Sequence, residues 1–455
     1  MTPTPDAALP RLLTTAVSRV RAPDVVLAVS RAGTRTYASG GTVPLGVGQG
    51  PGACSEPGPA VGSYAPGPAA AGGAGSNMGG QAPGGCSEYG PAAAGGAGPL
   101  GDGPAPGACS EYGPGGYVPG GGLPVGAGPR GAGPAPGSPP GGRPATAAHP
   151  DLERPHHTPK REELAYGLGS LTKTFTVLLL ADLARAGALG LDDPLAAHLP
   201  GVRLPPGNAR RITLRHLATH TSGLPRVPRD LLAGAVLRPY RNAYAGYTRE
   251  RLLAALAGAR LRHAPGTRWH YSNLGLALLG PALEHAAGAP YADLLTARVL
   301  RPLALTSTTL GPGPHPLAPA HRGDGRTPLP PAEMSAFAPA GGLFTTPADL
   351  LTYAEALLTP PPSSPLAPAL ADVRIPQLRR RTPGHRAEIH TLTWYQHPTP
   401  AGPLLFHAGA TFGQQSFLGL HPPTRTAVAA FATRHDRTTA VVRTAYTLLH
   451  TLIAR

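Results

Sequence analysis

"YGLGSLTKTF", Tyr166 to Phe175, is the stretch on which the fold turns. It holds Lys173, one of only two lysines in 455 residues; the other is Lys160, and every other permanently charged basic side chain is arginine. Lys173 stands three residues after Ser170. From Leu171 to Ala184 apolar residues cover almost every face of the predicted helix, and such a helix is a buried one. Positions i and i+3 are neighbours on a helix, so Ser170 and Lys173 meet. A buried ammonium is costly and gives up its proton readily, which a guanidinium does not. The position therefore calls for an amine that can be neutral. A neutral amine beside a hydroxyl is a nucleophile–base pair. Ser-x-x-Lys also arises by chance, so the motif alone leaves ordinary packing as the alternative.

Two further segments raise the odds of chemistry. "PGTRWHYSNLGLALLG" carries Tyr271 and Asn273 on one side of an expected extended stretch, just before an apolar helix. A phenol relays protons, and an amide can bind both an amine and a carbonyl. In "FHAGATFGQQSF", His407 and Gly409 alternate on an expected strand, and a glycine there admits the close approach of another backbone. Each has a plain structural alternative, a helix-start tyrosine or a sheet-edge glycine. The three in this order are far less expected by chance.

Around these motifs the chain is unevenly written. From Gly40 to Pro150 there is no Ile, Phe or Trp, and Gly, Pro and Ala dominate. Such a segment cannot bury enough apolar surface to offset its ordering entropy, so residues 42–160 are expected to be a disordered insert. The three cysteines, Cys54, Cys86 and Cys109, lie in near-copies of one phrase, "GACSEPGP", "GCSEYGP" and "GACSEYGP". No ligand spacing accompanies them, and a duplicated linker is the reading. The insert interrupts a domain. Before it come a helix, 7–20, and the strands "DVVLAVS" and "TRTYAS", too little to fold alone. After it, "EIHTLTWYQ", "PLLFHAG", "QSFLGL" and "TAVAAFAT" read as strands, followed by a helix from Thr438 to Ile453. The fold class that results is α+β: an antiparallel sheet from both chain ends, flanked by helices, with a mainly helical region from Leu171 to about Leu358. The expected domain comprises residues 1–41 and 161–455.

Composition excludes some functions. The net charge is +15, but the arginines are scattered and the one tight cluster is Arg379-Arg380-Arg381, so no specific nucleic-acid partner is expected. The first residues, "MTPTPDAALPRLLTTAVSRV", lack a basic start followed by an unbroken apolar run, and no apolar stretch is long enough to span a bilayer; a cytoplasmic protein is the expectation. His216 and His220 have the i, i+4 spacing of a metal pair but read as a helix–loop corner. Gly341-Gly342 reads as a tight turn before a helix capped by Thr345 or Thr346.

With these segments in this order, the chain resembles the serine β-lactamase and penicillin-recognising hydrolases. Within them it is similar to the class C-like group of D-alanyl-D-alanine carboxypeptidases, D-aminopeptidases and carboxylesterases. The resemblance also takes in "LGLDDPLAAHLPG", "ITLRHLATHTSGLP", "VLRPLALTSTTL" and "PAGGLFTTPADLLTYAEALL", nearly everything outside 42–160. It implies a β-lactamase/transpeptidase-like fold and an acyl-enzyme. Ser170 would be the nucleophile, Lys173 its activating amine and Tyr271 the proton relay. Asn273 would position Lys173 and the substrate, and the N–H groups of Ser170 and Ala410 would form the oxyanion hole. His407-Ala408-Gly409 stands where the family often has Lys-Thr-Gly or Lys-Ser-Gly. A histidine is mostly uncharged near neutral pH, so an ester or amide is favoured over a carboxylate-bearing β-lactam. The expected function is thus a carboxylesterase or D-amino-acid peptidase or amidase acting on a small ester, amide or peptide, with no cofactor and no metal. A β-lactamase or D,D-carboxypeptidase is the alternative, and a non-catalytic binding or scaffold protein on the same fold is the alternative of another class.

Overall fold

A computed structural model describes residues 8–42, 159–232, 241–380 and 388–454. The expected insert lies outside the described residues apart from Thr42, Pro159 and Lys160 at its ends, and so do the three cysteines. The elements that position the site are, in chain order, α1 (Leu9–Ser18), β1 (Val25–Arg31), β2 (Thr34–Gly40), α2 (Thr172–Arg185), α3 (Leu214–Ala218), α4 (Asn273–Ala287), α5 (Pro347–Leu358), β3 (Leu378–Arg380), β4 (Glu388–His390), β5 (Tyr395–Thr399), β6 (Gly402–Ala410), β7 (Gln415–His421), β8 (Thr426–Ala432) and α6 (Ala440–Ile453).

β1 and β2 pair through a two-residue turn in which Ala32 and Gly33 both take positive φ, 48° and 89°. That geometry matches the twist of the flanking strands. The eight strands form one antiparallel sheet in the order β2-β1-β8-β7-β6-β5-β4-β3. The N-terminal hairpin therefore joins the C-terminal strands through β1 and β8, with Val25 opposite Ala432 and Arg31 opposite Thr426.

Both faces are covered along the central strands β1, β7 and β8, which is why β1 and β8 read as continuous apolar runs rather than alternating ones. Val25, Leu27 and Val29 pack with Val428, Phe406, Phe417 and the apolar sides of α1 and α6. Val26 and Ala28, pointing the other way, join Leu418, Ala429 and Phe431 in the core of the helical region. α2 runs through that region, and every residue from Thr172 to Leu183 is buried. Its polar side chains are each satisfied: Thr174 Oγ1 donates to Leu171 O at 2.8 Å, Thr176 Oγ1 to Pro339 O at 2.6 Å, and Asp182 meets Arg298 at 2.6 Å.

Three details differ from the sequence reading. "EIHTLTWYQ" is not one strand. It turns back at Thr391–Trp394, where Thr393 has φ 70° and Thr391 N–H donates to Trp394 O at 3.0 Å, so β4 and β5 pair with each other. The completely buried Trp394 anchors that turn, which alternation of apolar residues could not reveal. Asn273 does not extend the strand-like lead of Tyr271; it is the first residue of α4, capped by Ser272 Oγ, which accepts from Gly275 N–H at 2.9 Å. The terminal helices are each about a turn or less shorter than expected. Of the two expected caps for α5, Thr346 serves, accepting from Asp349 N–H at 3.3 Å. No helix among the described residues is long and apolar enough to cross a membrane.

Candidate active site

Three parts of the chain converge at the N-terminal end of α2. The first is the entry to that helix. Tyr166–Gly167 pairs with Leu343–Thr345, and a single 3-10 turn, Gly169–Leu171, then carries Ser170 into α2. Lys173, one turn on, is fully buried. Its Nζ donates to Ser170 Oγ at 3.0 Å and to Ala340 O at 2.7 Å. The Ala340 carbonyl is delivered by a turn wedged between two helices: Thr176 of α2 bonds Pro339 O, and a Cβ at Gly280 of α4 would lie 2.6 Å from the Pro339 ring.

The second part is the lead into α4. Tyr271 Oη donates to Ser170 Oγ at 2.7 Å, so Ser170 Oγ holds both the lysine and the tyrosine. The lead is zipped to residues 220–226. His270 N–H donates to His220 O at 2.8 Å, Ser272 N–H to His220 Nδ1 at 3.2 Å, Ser272 Oγ to Pro225 O at 2.7 Å, and Asn273 N–H to Arg226 O at 2.8 Å. The Asn273 amide donates to Tyr244 Oη at 3.3 Å.

The third part is the end of β6. A Cβ at Gly409 would lie 1.9 Å from Leu168 O and 2.9 Å from Leu171 N, so the close backbone approach expected there is present. Gly169, at φ 51°, packs on Ala410 in the same way, with Ala410 O 2.3 Å from a hypothetical Cβ. Thr411 N–H bonds Gln414 O at the head of the β6–β7 ladder. The alternation of an antiparallel ladder then turns the N–H of Ala410 away from β7, toward the Gly169–Ser170 edge. The N–H groups of Ser170 and Ala410 thus belong to two backbones in contact.

The electrostatics are those of a cationic centre with neutral histidines. Burial first, then the charge of Lys173, pushes His407 down to about 3. Its Nδ1 faces Ala408 O at 2.8 Å, and the residue is 1% exposed. His220 is held well below its ordinary value by burial and by the same lysine. Its ring lies 4.4 Å from that of Tyr271. Around the Tyr271 ring stand Lys173 Nζ at 5.1 Å and the Arg226 guanidinium at 4.9 Å.

Of the residues singled out in sequence, Lys173 and Tyr271 each come within hydrogen-bond distance of Ser170 Oγ, and Gly409 and Ala410 border them. Asn273 is close in chain and turned toward Tyr244. His407 sits on the same strand as Gly409 but is buried. His220, Arg226 and Ala340 were not legible as site residues. The first two lie in "HTSGLPR", whose density of turn residues marks only a loop, and the third contributes a backbone carbonyl that any residue has. His216 helps cap the start of α3, where its N–H donates to Thr213 Oγ1 at 3.3 Å. Among the described residues no three His, Cys, Asp or Glu side chains are grouped to hold a metal ion.

Comparison with known proteins bears on the family and the fold. A family model described as Beta-lactamase matches residues 140–452. The chain is 38% identical over 196 residues to the D-alanyl-D-alanine-carboxypeptidase/endopeptidase AmpH of Escherichia coli K12, covering 42% of this chain and 48% of that one. It is 37% identical over 155 residues to Esterase EstB of Burkholderia gladioli, covering 32% and 38%. The chain thus spans about half the length, or less, of these curated relatives. In fold it is similar to the class C beta-lactamase of Rhodobacter sphaeroides, with a TM-score of 0.60 at 18% identity over 97% of this chain and 98% of that one. With the model matching well over half of its length, the chain belongs to the beta-lactamase family.

Proposed function

We propose that the protein is a serine hydrolase that works through an acyl-enzyme on a small ester, amide or peptide. The observation that carries this is the double contact on Ser170 Oγ, from Lys173 Nζ at 3.0 Å and Tyr271 Oη at 2.7 Å. In this reading the Lys173–Tyr271 pair takes the Ser170 proton through Tyr271 Oη as Oγ attacks the substrate carbonyl carbon. The carbonyl oxygen becomes an oxyanion between the N–H groups of Ser170 and Ala410; such donors are worth about 3 kcal/mol each. Tyr271 then passes the proton to the leaving oxygen or nitrogen as the carbonyl re-forms. Water enters, gives a proton to Tyr271 and attacks the acyl carbon; Ser170 Oγ leaves and recovers the proton. Asn273, at the start of α4, is the proposed contact for the substrate carbonyl group.

Esters and amides are favoured over β-lactams within this proposal. The support is His407, which is neutral and buried and so offers no fixed cation to a substrate carboxylate. The names of the relatives, an esterase and a carboxypeptidase/endopeptidase, span the same choice. The proposed location is the cytoplasm, which fractionation of cells expressing the full chain checks. The central test is intact-mass spectrometry after exposure to p-nitrophenyl esters, D-amino-acid amides and β-lactams. An acyl adduct on Ser170, absent in Ser170→Ala with thermal stability nearly unchanged, is expected. A fully active Ser170→Ala protein would sink the mechanism.

A further inference from the structure

The segment His220–Arg226 carries more than a loop needs. It is fastened to the lead and first turn of α4 by five hydrogen bonds, four of them on its backbone carbonyls, and Arg226 O accepts from both Asn273 N–H, at 2.8 Å, and Leu274 N–H, at 3.2 Å. These are among the donors that a helix start leaves open. The same residue sets its half-buried guanidinium 4.9 Å from the centre of the Tyr271 ring. Resting on the serine hydrolase reading above, we infer that Arg226 is a positioning residue for the reaction: its permanent charge favours the phenolate of Tyr271, the form that accepts the Ser170 proton.

The charge balance at Tyr271 is what makes this cation matter. The turn into α2 presents the Ser170 hydroxyl, and α2 presents Lys173, the latter 5.1 Å from the ring centre. The 220–226 segment presents Arg226 and His220, whose ring is 4.4 Å away. On the lead itself, Trp269 lies 6.4 Å from the ring, and the neighbouring His270 is held down to about 4. Farther out are His407 of β6 and His390 of β4, and the Tyr244 phenol reaches the lead through Asn273. With His220 and His407 neutral, Lys173 and Arg226 are, among the described residues, the cations set against the ring; one layer farther out Arg380 lies over Trp269 and Glu388 is 3.3 Å from His390. A neutral Tyr271 donates its proton to Ser170 Oγ. Once ionised, the same 2.7 Å contact runs the other way, and Oγ–H donates to the phenolate. A cation within a few ångströms favours the ionised form of a phenol. Lys173 is engaged with Ser170 and Ala340, whereas Arg226 keeps its charge at every working pH.

The test is the pH dependence of Ser170 labelling by a fluorophosphonate, read alongside kcat/KM for p-nitrophenyl acetate. It is run on the full chain and on Arg226→Met, Arg226→Gln and Arg226→Lys. All three substitutions keep the Arg226 carbonyl that holds α4, and two neutral variants are used so that misfolding of one leaves the other. Because the phenolate is the active form, activity rises with pH through the Tyr271 ionisation. Loss of the guanidinium should move that rising limb up by about one pH unit, with rates below it falling about tenfold. Arg226→Lys should restore most of the shift. An unmoved limb in the neutral variants overturns the inference. So does a rise in KM confined to carboxylate-bearing substrates, which would make Arg226 a substrate contact. If Ser170 in the unaltered chain is never labelled, it is the hydrolase reading that fails, and the two failures are thereby distinguished.

Discussion

Lys173 is fully buried, with Nζ shared between the Ala340 carbonyl and Ser170 Oγ and lying 5.1 Å from the centre of the Tyr271 ring. A guanidinium is larger and carries its donors in a fixed plane, which does not reproduce that pair of contacts. Lys173→Arg should therefore cost nearly as much turnover as Lys173→Ala, at least about a hundredfold in kcat for an ester, the scale of losing a general acid or base. Steady-state kinetics of the two variants checks this. If Lys173→Arg keeps most of the activity, the residue acts by charge alone.

At the scale of elements, the site depends on how closely β6 approaches the turn before α2. Gly409→Ala would place a methyl 1.9 Å from Leu168 O, a backbone atom with nowhere to go. The strand must then move. We expect a stability loss of about 1–3 kcal/mol by urea unfolding. A drop in kcat/KM of about a hundredfold should accompany it, because the Ala410 N–H leaves its place beside Ser170. Retained turnover would mean that β6 does not form part of the reacting centre. The same strand also makes the fold sensitive to acid. His407 is neutral in the folded protein down to about pH 3, whereas in the unfolded chain it takes a proton near pH 6.5. Between those values the unfolded chain holds the extra proton, so stability falls as the pH drops. The residue should account for about 2 kcal/mol between pH 7.5 and pH 5. Urea midpoints at the two pH values should fall less in His407→Gln than in the unaltered chain; equal falls would count against a buried neutral histidine.

For the whole molecule, the two chain ends are bound into one sheet, and the flanks of the long intervening segment meet at a single place. Thr42 N–H donates to Ala22 O at 3.0 Å, a Cβ at Gly41 would strike Pro23 O, and Arg161 Nε pairs with Asp24 at 2.7 Å. Thr433, just past β8, completes the cluster through Asp24. Residues 22–24 are thus a common anchor for the chain on both sides of 43–158. We propose on this basis that 1–41 and 161–455 make one catalytic domain. A short Gly/Ser linker in place of 43–158 should leave a folded, ester-hydrolysing protein, since the cost of closing a loop grows only with the logarithm of its length. Circular dichroism and p-nitrophenyl acetate turnover of the linked protein check it. Loss of fold on deletion would assign the segment a structural part.

What the sequence determined by itself is what lies within one element. The i, i+3 spacing of Ser170 and Lys173, the apolar run that buries α2, and the strand segments of both chain ends all follow from local geometry and composition. What only the tertiary structure decided concerns pairs far apart in the chain. Tyr271 reaches Ser170 across 101 positions and Ala340 reaches Lys173 across 167. The neutrality of His407, the burial that turns "EIHTLTWYQ" into a hairpin, and the Arg226 charge beside Tyr271 belong to the same class. Their physical reason is common. A residue's pattern encodes which face of its own helix or strand it occupies, whereas its solvation, its charge neighbours and its hydrogen-bond partners are supplied by elements that pack against that face only once the chain has folded.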